Sequence, residues 1–115
     1  NIFILADKTQ LKQVLSNIIK NAIQSIPQSR NDGEVNISAR TDEKQITIEI
    51  KDNGSGIPAD IKERIFTPNF TTKNSGMGLG LAIVKNIVNN NDGDIWFNSE
   101  EGKGTTFFVR FSVIK

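Results

Sequence analysis

The sequence predicts an α+β fold in which helices cover one face of a mainly antiparallel sheet. Two segments carry apolar residues at the spacing of an amphipathic helix, and two others alternate apolar and polar residues as paired strands do. The 115 residues, 37% of them apolar, suffice for one core and not for two ordinary domains. We therefore expect residues 1–115 to form a single α/β sandwich, with a mixed, mainly antiparallel sheet of about five strands and about three helices.

The first helix is expected to begin at a cap, either Asp7 or Thr9, and to end before Pro27. Its apolar stripe comprises Leu11, Val14, Leu15, Ile18, Ile19, Ala22, Ile23 and Ile26. The flank beside this stripe is polar but mostly uncharged, and carries Gln10, Gln13, Asn17, Asn21 and Gln24. Residues 35–40 and 46–51 then alternate apolar and polar side chains, which predicts an antiparallel hairpin with one buried face.

The second half of the chain starts with residues 58–64, which are compatible with a short helix. Residues 67–78 form a polar loop whose length is typical of a functional lid or a disordered segment. Helical spacing resumes over residues 79–88. A final hairpin pairs residues 95–98 with residues 107–113, whose odd-numbered apolar side chains share one face while Phe108 and Arg110 lie on the other.

Composition excludes several classes of protein. Fourteen basic and 13 acidic residues give a net charge of +1, which lacks the positive field that binds DNA phosphates, so no nucleic acid partner is expected. The absence of Cys excludes a disulfide framework and a thiol nucleophile. With no His and no Tyr, imidazole or phenol chemistry must come from another molecule or domain.

The start of the chain suggests one module of a longer protein, and its hydropathy bears on where that module is located. Asn1 is not an initiator Met, and a strand-like run, Ile2 to Ala6, follows it at once. No run approaches the roughly 18 apolar residues of a membrane span. The domain is therefore expected to be cytoplasmic.

The first candidate for chemistry is Asp52 in the segment DNGSGIP. Counting by twos from Ile50 places Asp52 on the buried face at the end of its strand, where a carboxylate needs a hydrogen-bond donor. An exocyclic amine such as that of adenine is a suitable donor, and Gly54 and Gly56 would let the backbone approach a flat ligand. The alternative is an ordinary Asp-Asn-Gly turn whose side chain satisfies itself.

The second candidate is the segment SGMGLGLAIVK, in which Gly76, Gly78 and Gly80 lead into a helix. Free backbone amides at a helix N-terminus attract phosphate, and glycines allow phosphate oxygens to approach the main chain. The spacing excludes a Walker A loop, and the alternating glycines do not match the dinucleotide-binding fingerprint. The alternative is a flexible hinge before a helix.

The third candidate is the pair Asn17 and Asn21, which are one turn apart on one helical face. Helix interiors disfavour Asn, so two on one face need an explanation. They either form an exposed polar flank or supply a neutral oxygen to Mg²⁺, an ion that takes its remaining ligands from phosphates and water.

Five motifs then follow one another along the chain: QVLSNIIKNAIQSIP, DNGSGIP, IFTPNFTTK, GMGLGLAIVK and GKGTTF. In this order they resemble the Asn box, first glycine box, Phe box, second glycine box and third glycine box of sensor histidine kinases. The resemblance covers nearly the whole chain. It implies the catalytic, ATP-binding domain of a two-component histidine kinase, in the GHKL superfamily with its Bergerat fold, which type II topoisomerases, Hsp90 and mismatch-repair ATPases share.

This resemblance assigns roles residue by residue. It makes Asn21 the Mg²⁺ ligand, acting together with the phosphates, and Asp52 the acid that recognises adenine, so ATP and Mg²⁺ are the expected cofactors. Asn21 and Lys73 are the expected catalytic residues, and the polar loop becomes a flexible ATP lid. The full predicted ATP-binding set is Asn17, Lys20, Asn21, Gln24, Asp52, Gly54, Gly56, Ile57, Phe70, Thr72, Lys73, Gly76, Met77, Gly78, Leu79, Gly80 and Thr105.

Asn17 separates the branches of the superfamily. ATPase members carry a Glu one turn before the Mg²⁺ ligand, where it is the general base for water, and Asn cannot accept a proton near neutral pH. The resemblance therefore favours a kinase whose nucleophile is an imidazole. Two alternatives stay open: a GHKL-type ATPase, and a regulatory nucleotide-binding module without phosphotransfer, which is favoured by departures from the usual kinase pattern at Gln24, Ser25 and Asn69.

The resemblance also implies partners. The γ-phosphate would pass to a His on a separate dimerisation domain of the same kinase, in cis or in trans, and from there to a response regulator. The full-length protein is expected to be a homodimer, and its anchoring in the inner membrane is left open.

Overall fold

A computed structural model describes residues 3–4, 8–67 and 77–114 of the chain. In chain order the elements are β1 (Phe3–Ile4), α1 (Lys8–Gln24), β2 (Val35–Thr41), β3 (Gln45–Asp52), a 3-10 turn (Lys62–Arg64), α2 (Met77–Asn90), β4 (Asp94–Glu100) and β5 (Gly104–Ile114). The predicted α+β class is confirmed, and so are the two amphipathic helices and both hairpins.

The two α-helices lie close to their predicted limits. Helix α1 begins at Lys8, so Thr9 is inside the helix and does not cap it, and Asp7 lies outside the described residues. Helix α2 begins two residues before the predicted start and ends at Asn90. Its end is closed by Asp92, in the left-handed conformation with φ 58°, and by the Gly93 N–H, which donates to the Val88 carbonyl at 2.9 Å.

The third predicted helix is reduced to a single 3-10 turn. Residues 58–64 form successive tight turns, in which the Ile61 N–H donates to the Pro58 carbonyl and the Arg64 N–H to the Ile61 carbonyl. Ile57 and Ile65 are both buried in the core on either side of this segment. A segment this short does not offset the cost of nucleating an α-helix, and its observed bonds join residues three apart.

The sheet is built around β5. Strand β3 pairs with one side of β5, β4 and the short β1 pair with the other side, and β2 forms the edge beyond β3. Every pairing among the described strands is antiparallel, so the parallel component of the predicted mixed sheet is absent from this part of the chain. A row of facing positions near one end of the sheet runs Val35, Asp52, Thr105 and Ser99 across β2, β3, β5 and β4.

The core lies between the two helices and one face of the sheet. The helices contribute Val14, Ile18, Leu81, Val84 and Val88, all with no exposed surface. The sheet contributes Ile50, Phe107, Val109 and Phe111, and these four confirm the inward face predicted by alternation. No helix of the described chain is both long enough and apolar enough to cross a membrane.

The alternation in the first hairpin predicts more burial than the structure gives. Ile37 shares the inward face with Ile50, its partner in the register, but 56% of its surface is exposed. Strand β2 is at the edge, and α1 packs more closely against β3 than against β2. The opposite face of the sheet is open and carries Trp96 stacked on Phe108, with ring centroids 5.2 Å apart, and Arg110 over Trp96.

Candidate functional site

Asp52 lies at the end of β3 on the helix-covered face, with only 4% of its surface exposed. Its Oδ1 accepts hydrogen bonds from the Gly54 N–H at 2.8 Å and the Thr105 N–H at 3.3 Å. Because both backbone donors use the same oxygen, Oδ2 has capacity to accept from another donor. Burial raises the pKa of Asp52, against the opposing effects of the Gly54 N–H, the Ser25 hydroxyl and the Thr105 N–H.

This shift makes folding stability depend on pH in a definite direction. A folded-state pKa above the ordinary 3.8 means that the folded domain holds this proton more tightly than the unfolded chain. The free-energy contribution of Asp52 to folding is therefore expected to become less favourable as pH rises from 3.8 through the folded-state pKa. Urea unfolding of the wild type and Asp52→Asn across this window measures the contribution as the difference between the two profiles.

The exposed Asp42 is a control, because its pKa is shifted in the direction opposite to that of Asp52. Backbone N–H groups of Lys44 and Gln45 lower the pKa of Asp42, so its contribution is present above 3.8 and is lost as pH falls through its folded-state pKa. Asp42→Asn is expected to change the pH dependence of the unfolding free energy in the direction opposite to Asp52→Asn. An Asp52→Asn difference that follows the Asp42→Asn direction would show that burial does not dominate at Asp52.

A polar cluster surrounds Asp52 at the end of the sheet. Thr105, directly opposite Asp52 in the register, is buried, and Ser99 lies opposite Thr105 on the other side. The two hydroxyl oxygens, Ser99 Oγ and Thr105 Oγ1, are 2.8 Å apart. Ser99 Oγ also accepts the Ile57 N–H at 2.8 Å. Asp52, Thr105 and Ser99 thus form one connected polar row, which we call the terminal row.

The glycines after Asp52 bring three segments together. A side chain at Gly54 would place its Cβ 2.2 Å from Ser25 Oγ, at the end of α1. Gly56 has φ 76°, and a Cβ there would lie 2.3 Å from the Glu100 carbonyl oxygen. The atoms close to these two glycines thus belong to the residue directly after α1 and to the end of β4 with the turn that follows it. A side chain at either position would push these segments apart.

A second group of predicted residues meets between α1 and α2. A cavity of about 130 Å³ is lined by Asn17, Lys20, Asn21, Gln24 and Gly80. Asn21 is 7% exposed, and its Nδ2 is a buried polar atom without a hydrogen-bond partner among the described residues. The Asn17 Nδ2 donates to the Gly80 carbonyl at 3.5 Å, so the amide of Asn17 bridges the two helices.

The donors in this cavity fit Mg²⁺ only in company with phosphate. The described residues contain no group of three or more acidic, His or Cys side chains that could hold a metal. The Nδ2 of Asn21, which has no partner among the described residues, is a hydrogen-bond donor and not a metal ligand. Asn21 offers one neutral amide oxygen, and Mg²⁺ binds through few protein oxygens when phosphates and water complete its shell. The absence of carboxylates from the residues lining the cavity is consistent with that mode.

The remaining predicted residues divide into three groups. The Ile57 side chain is part of the hydrophobic core, while its N–H joins the terminal row. Met77, Gly78 and Leu79 form the first turn of α2 together with Gly80. Phe70, Thr72, Lys73 and Gly76, with most of the predicted lid, lie outside the described residues.

Two further cavities border the site. One of about 300 Å³ adjoins the terminal row and is lined by Lys51, Asp52, Asn98, Ser99, Glu100, Lys103, Gly104, Thr105 and Thr106. A larger one, about 630 Å³, lies beside the end of α1 and includes Gln24 of the predicted residues.

Ser25 and Ser99 make contacts in the site that the sequence did not reveal. Ser25 follows α1 directly and adjoins Gly54, and its carbonyl accepts the Ser55 N–H at 3.0 Å. A usable signal existed for Ser99, since counting by twos from Ile95 and Phe97 places it on the inward face. For Ser25 the sequence shows only a departure from the usual kinase pattern, which does not indicate a contact.

Comparison with known proteins places these features in a family. The family model described as "Histidine kinase-, DNA gyrase B-, and HSP90-like ATPase" matches residues 6–114. Sporulation kinase A of Bacillus subtilis strain 168 is 43% identical over 111 residues, which are 96% of this chain and 18% of that protein. Sensor histidine kinase ZraS of Escherichia coli K12 is 48% identical over 104 residues, 90% of this chain and 22% of that protein.

Solved structures agree with these sequence relatives. The catalytic domain of histidine kinase ThkA superposes with a TM-score of 0.78 at 35% identity, covering 93% of this chain and 68% of that one. Full-length ShkA in complex with AMPPNP gives a TM-score of 0.82 at 30% identity, covering 99% of this chain and 24% of that one. The chain spans about a fifth of the length of the curated relatives quoted above.

Proposed function

The chain belongs to the histidine kinase-, DNA gyrase B- and HSP90-like ATPase family, and from this membership we propose that it is the ATP-binding catalytic domain of a sensor histidine kinase. The two relatives named above are a sporulation kinase and a sensor histidine kinase. The observation that carries the proposal is the buried Asp52 carboxylate, because its Oδ1 is held by two backbone N–H groups and its Oδ2 can accept from a ligand. Residues 1–115 then act as one domain of a longer kinase.

Adenine is proposed to bind at the terminal row. A carboxylate that accepts but does not donate selects an exocyclic amine over a carbonyl oxygen, which distinguishes adenine from guanine at this atom. Thr105 lies opposite Asp52 and brings a hydroxyl to the same end of the sheet. Gly54, Gly56 and the Ile57 backbone hold the loop beside it.

The triphosphate is proposed to lie along the cavity between α1 and α2. Lys20 supplies a cation there, Gln24 an amide, and Gly78 and Gly80 lie in the first turn of α2, where backbone N–H groups and the helix dipole favour anions. Asn21 would hold Mg²⁺ together with the phosphates. When bound, Mg²⁺ neutralises phosphate charge and orients the terminal phosphoryl group. Phe70, Thr72, Lys73, Gly76, Met77 and Leu79 complete this proposed set.

The phosphoryl acceptor is proposed to come from outside this chain. The sequence contains no His, and the residue one turn before Asn21 is an amide that bridges the helices and is not a general base. Catalysis by the domain then consists of positioning and charge neutralisation. The acceptor would be a His on a dimerisation domain, with a response regulator downstream and a homodimeric full-length protein.

Binding of ATP by the isolated chain is the direct test of the proposal. Isothermal titration of the folded domain with ATP is expected to show saturable binding at a single site that Mg²⁺ strengthens. Incubation with γ-labelled ATP is expected to leave the chain without phosphohistidine, whereas a longer protein that includes the His-containing domain becomes labelled. Folded protein that gives no binding signal with ATP would overturn the proposal.

The role of Asn21 gives a separate prediction. Asn21→Ala is expected to lower the affinity for Mg²⁺-ATP about tenfold, because one oxygen of the metal shell is lost. In EDTA the same substitution should change the affinity for ATP by less than about twofold, since no phosphate contact is removed. Titrations with and without Mg²⁺ measure both values.

Asn86→Ala is the matched control for this experiment, since Asn86 is an exposed residue on α2. It should match the wild type in both conditions. An equal loss for Asn21→Ala with and without Mg²⁺ would show that Asn21 acts on the nucleotide directly or on the fold, and not through the metal.

A further inference from the structure

Ser99 joins three parts of the proposed base pocket. Its Oγ accepts the Ile57 N–H at 2.8 Å and lies 2.8 Å from Thr105 Oγ1 and 3.2 Å from the Gly104 carbonyl oxygen. Its own carbonyl accepts from Lys62 Nζ at 2.7 Å. Ser99 is thus fixed through both its side chain and its backbone.

The Ser99 hydroxyl has a single proton to donate, and two acceptors compete for it. The Thr105 oxygen, at 2.8 Å, lies at the usual distance for an O–H···O hydrogen bond, whereas the Gly104 carbonyl is distinctly farther away. Either hydroxyl can donate across the 2.8 Å contact, so two arrangements are open: Ser99 donates to the Gly104 carbonyl and accepts from Thr105, or Ser99 donates to Thr105. In the second arrangement Thr105 keeps its own proton for a partner on the other side, because Ser99 already occupies one of its lone pairs.

The Thr105 hydroxyl proton can be donated to a ring nitrogen of adenine. In adenine the exocyclic amine is flanked by two ring nitrogens, N1 and N7, and both accept hydrogen bonds. If Asp52 accepts from the amine, the group beside Asp52 must donate in order to match either neighbouring nitrogen. If the Thr105 hydroxyl donated its proton to Ser99, it would face the ring nitrogen with a lone pair, and no hydrogen bond would form between them.

We propose that Ser99 is a positioning residue that orients the Thr105 hydroxyl proton into the base pocket and so sharpens the preference for adenine. This inference rests on the proposed function, since it requires adenine at Asp52 and Thr105. It assigns Ser99 no contact with the nucleotide: Ser99 acts through Thr105, from the neighbouring strand of the terminal row.

The test compares ATP with two analogues, 1-deaza-ATP and 7-deaza-ATP, each of which lacks one of the two ring nitrogens. Ser99→Ala is expected to weaken ATP binding about tenfold, the scale of one lost hydrogen bond with its partner left unoriented. For the analogue that lacks the contacted nitrogen, the same substitution should cost less than about twofold, because the wild type has no such bond to lose. Ser99→Thr, which keeps the hydroxyl, should restore ATP binding.

Two further variants separate orientation from structural damage. Ser99→Cys nearly preserves the size of the side chain but donates weakly, so it should also weaken ATP binding about tenfold, and it replaces Ser99→Ala in the comparison if that variant does not fold. In a Thr105→Val background, Ser99→Cys should have no further effect on ATP binding. Ser112→Ala, on the exposed side of β5, is the matched control and should leave all three affinities unchanged.

The outcomes distinguish this inference from the proposed function. If wild-type protein binds ATP but the Ser99 variants lose ATP and both analogues by the same factor, Ser99 has only a structural role and the inference is overturned. Retention of full ATP affinity by Ser99→Cys would overturn it as well. If the wild type binds no ATP, the proposed function itself fails.

Discussion

Asp52→Asn is expected to lower the affinity of the domain for ATP about 100-fold while leaving its stability within about 1 kcal/mol of the wild type. The loss follows because the amide replaces a charged acceptor and turns an N–H₂ group toward the amine of the base. The fold tolerates the change because the amide oxygen still accepts from Gly54 and Thr105. Removal of a buried charge also offsets the poorer hydrogen bonding of the amide.

Titration calorimetry and urea unfolding of the same preparation measure the two effects together. Asp60→Asn is the control, because Asp60 is exposed in the segment before the 3-10 turn. It should change neither ATP affinity nor stability. Nearly wild-type ATP affinity in a folded Asp52→Asn protein would exclude Asp52 as the residue that recognises the base.

Gly104→Ala is expected to destabilise the domain by about 3 kcal/mol or more, enough to unfold a substantial fraction of a marginal fold. Gly104 has φ 130°, a conformation that side-chain-bearing residues rarely adopt. An added Cβ would lie 2.1 Å from the Asp52 carbonyl oxygen, where the β3 and β5 backbones meet. Relief of this overlap requires the strands to separate at the terminal row.

Gly102→Ala separates the two causes, because Gly102 lies in the same turn with φ 85°, and a Cβ added there would have no neighbouring atom within 4 Å among the described residues. It should cost only about 1 kcal/mol, the conformational penalty alone. Thermal and urea unfolding of both variants give the comparison. Equal destabilisation by the two substitutions would mean that backbone conformation, and not the close approach to Asp52, makes Gly104 necessary.

The parts of the fold that periodicity specifies were predictable from sequence. Apolar spacing identified both helices, and alternation placed Phe107, Val109 and Phe111 on the buried face of β5. Alternation failed at Ile37, because burial of an edge strand depends on which strands the helices cover. The short helix predicted at residues 58–64 is reduced to a 3-10 turn because the segment is too short to offset the cost of α-helix nucleation.

The candidate site was likewise predictable from the sequence only in part. Counting along one strand sufficed to direct Asp52 inward, and helical spacing sufficed to put Asn17 and Asn21 on one face. The contacts of Ser99 with Thr105 and Ile57 depend on the register between strands and on the path of a loop, which no single segment specifies. Tertiary partners of this kind become visible only when the strands are placed side by side.

The open face of the sheet has a practical consequence for spectroscopy. Trp96 is the single tryptophan of the sequence, and it is stacked on Phe108 on the side of the sheet away from the helices. Its neighbours along β4 on the opposite face include Ser99. Its intrinsic fluorescence is thus a built-in reporter that should follow strand pairing in β4 and β5 while remaining insensitive to quenching by a nucleotide held on the other side.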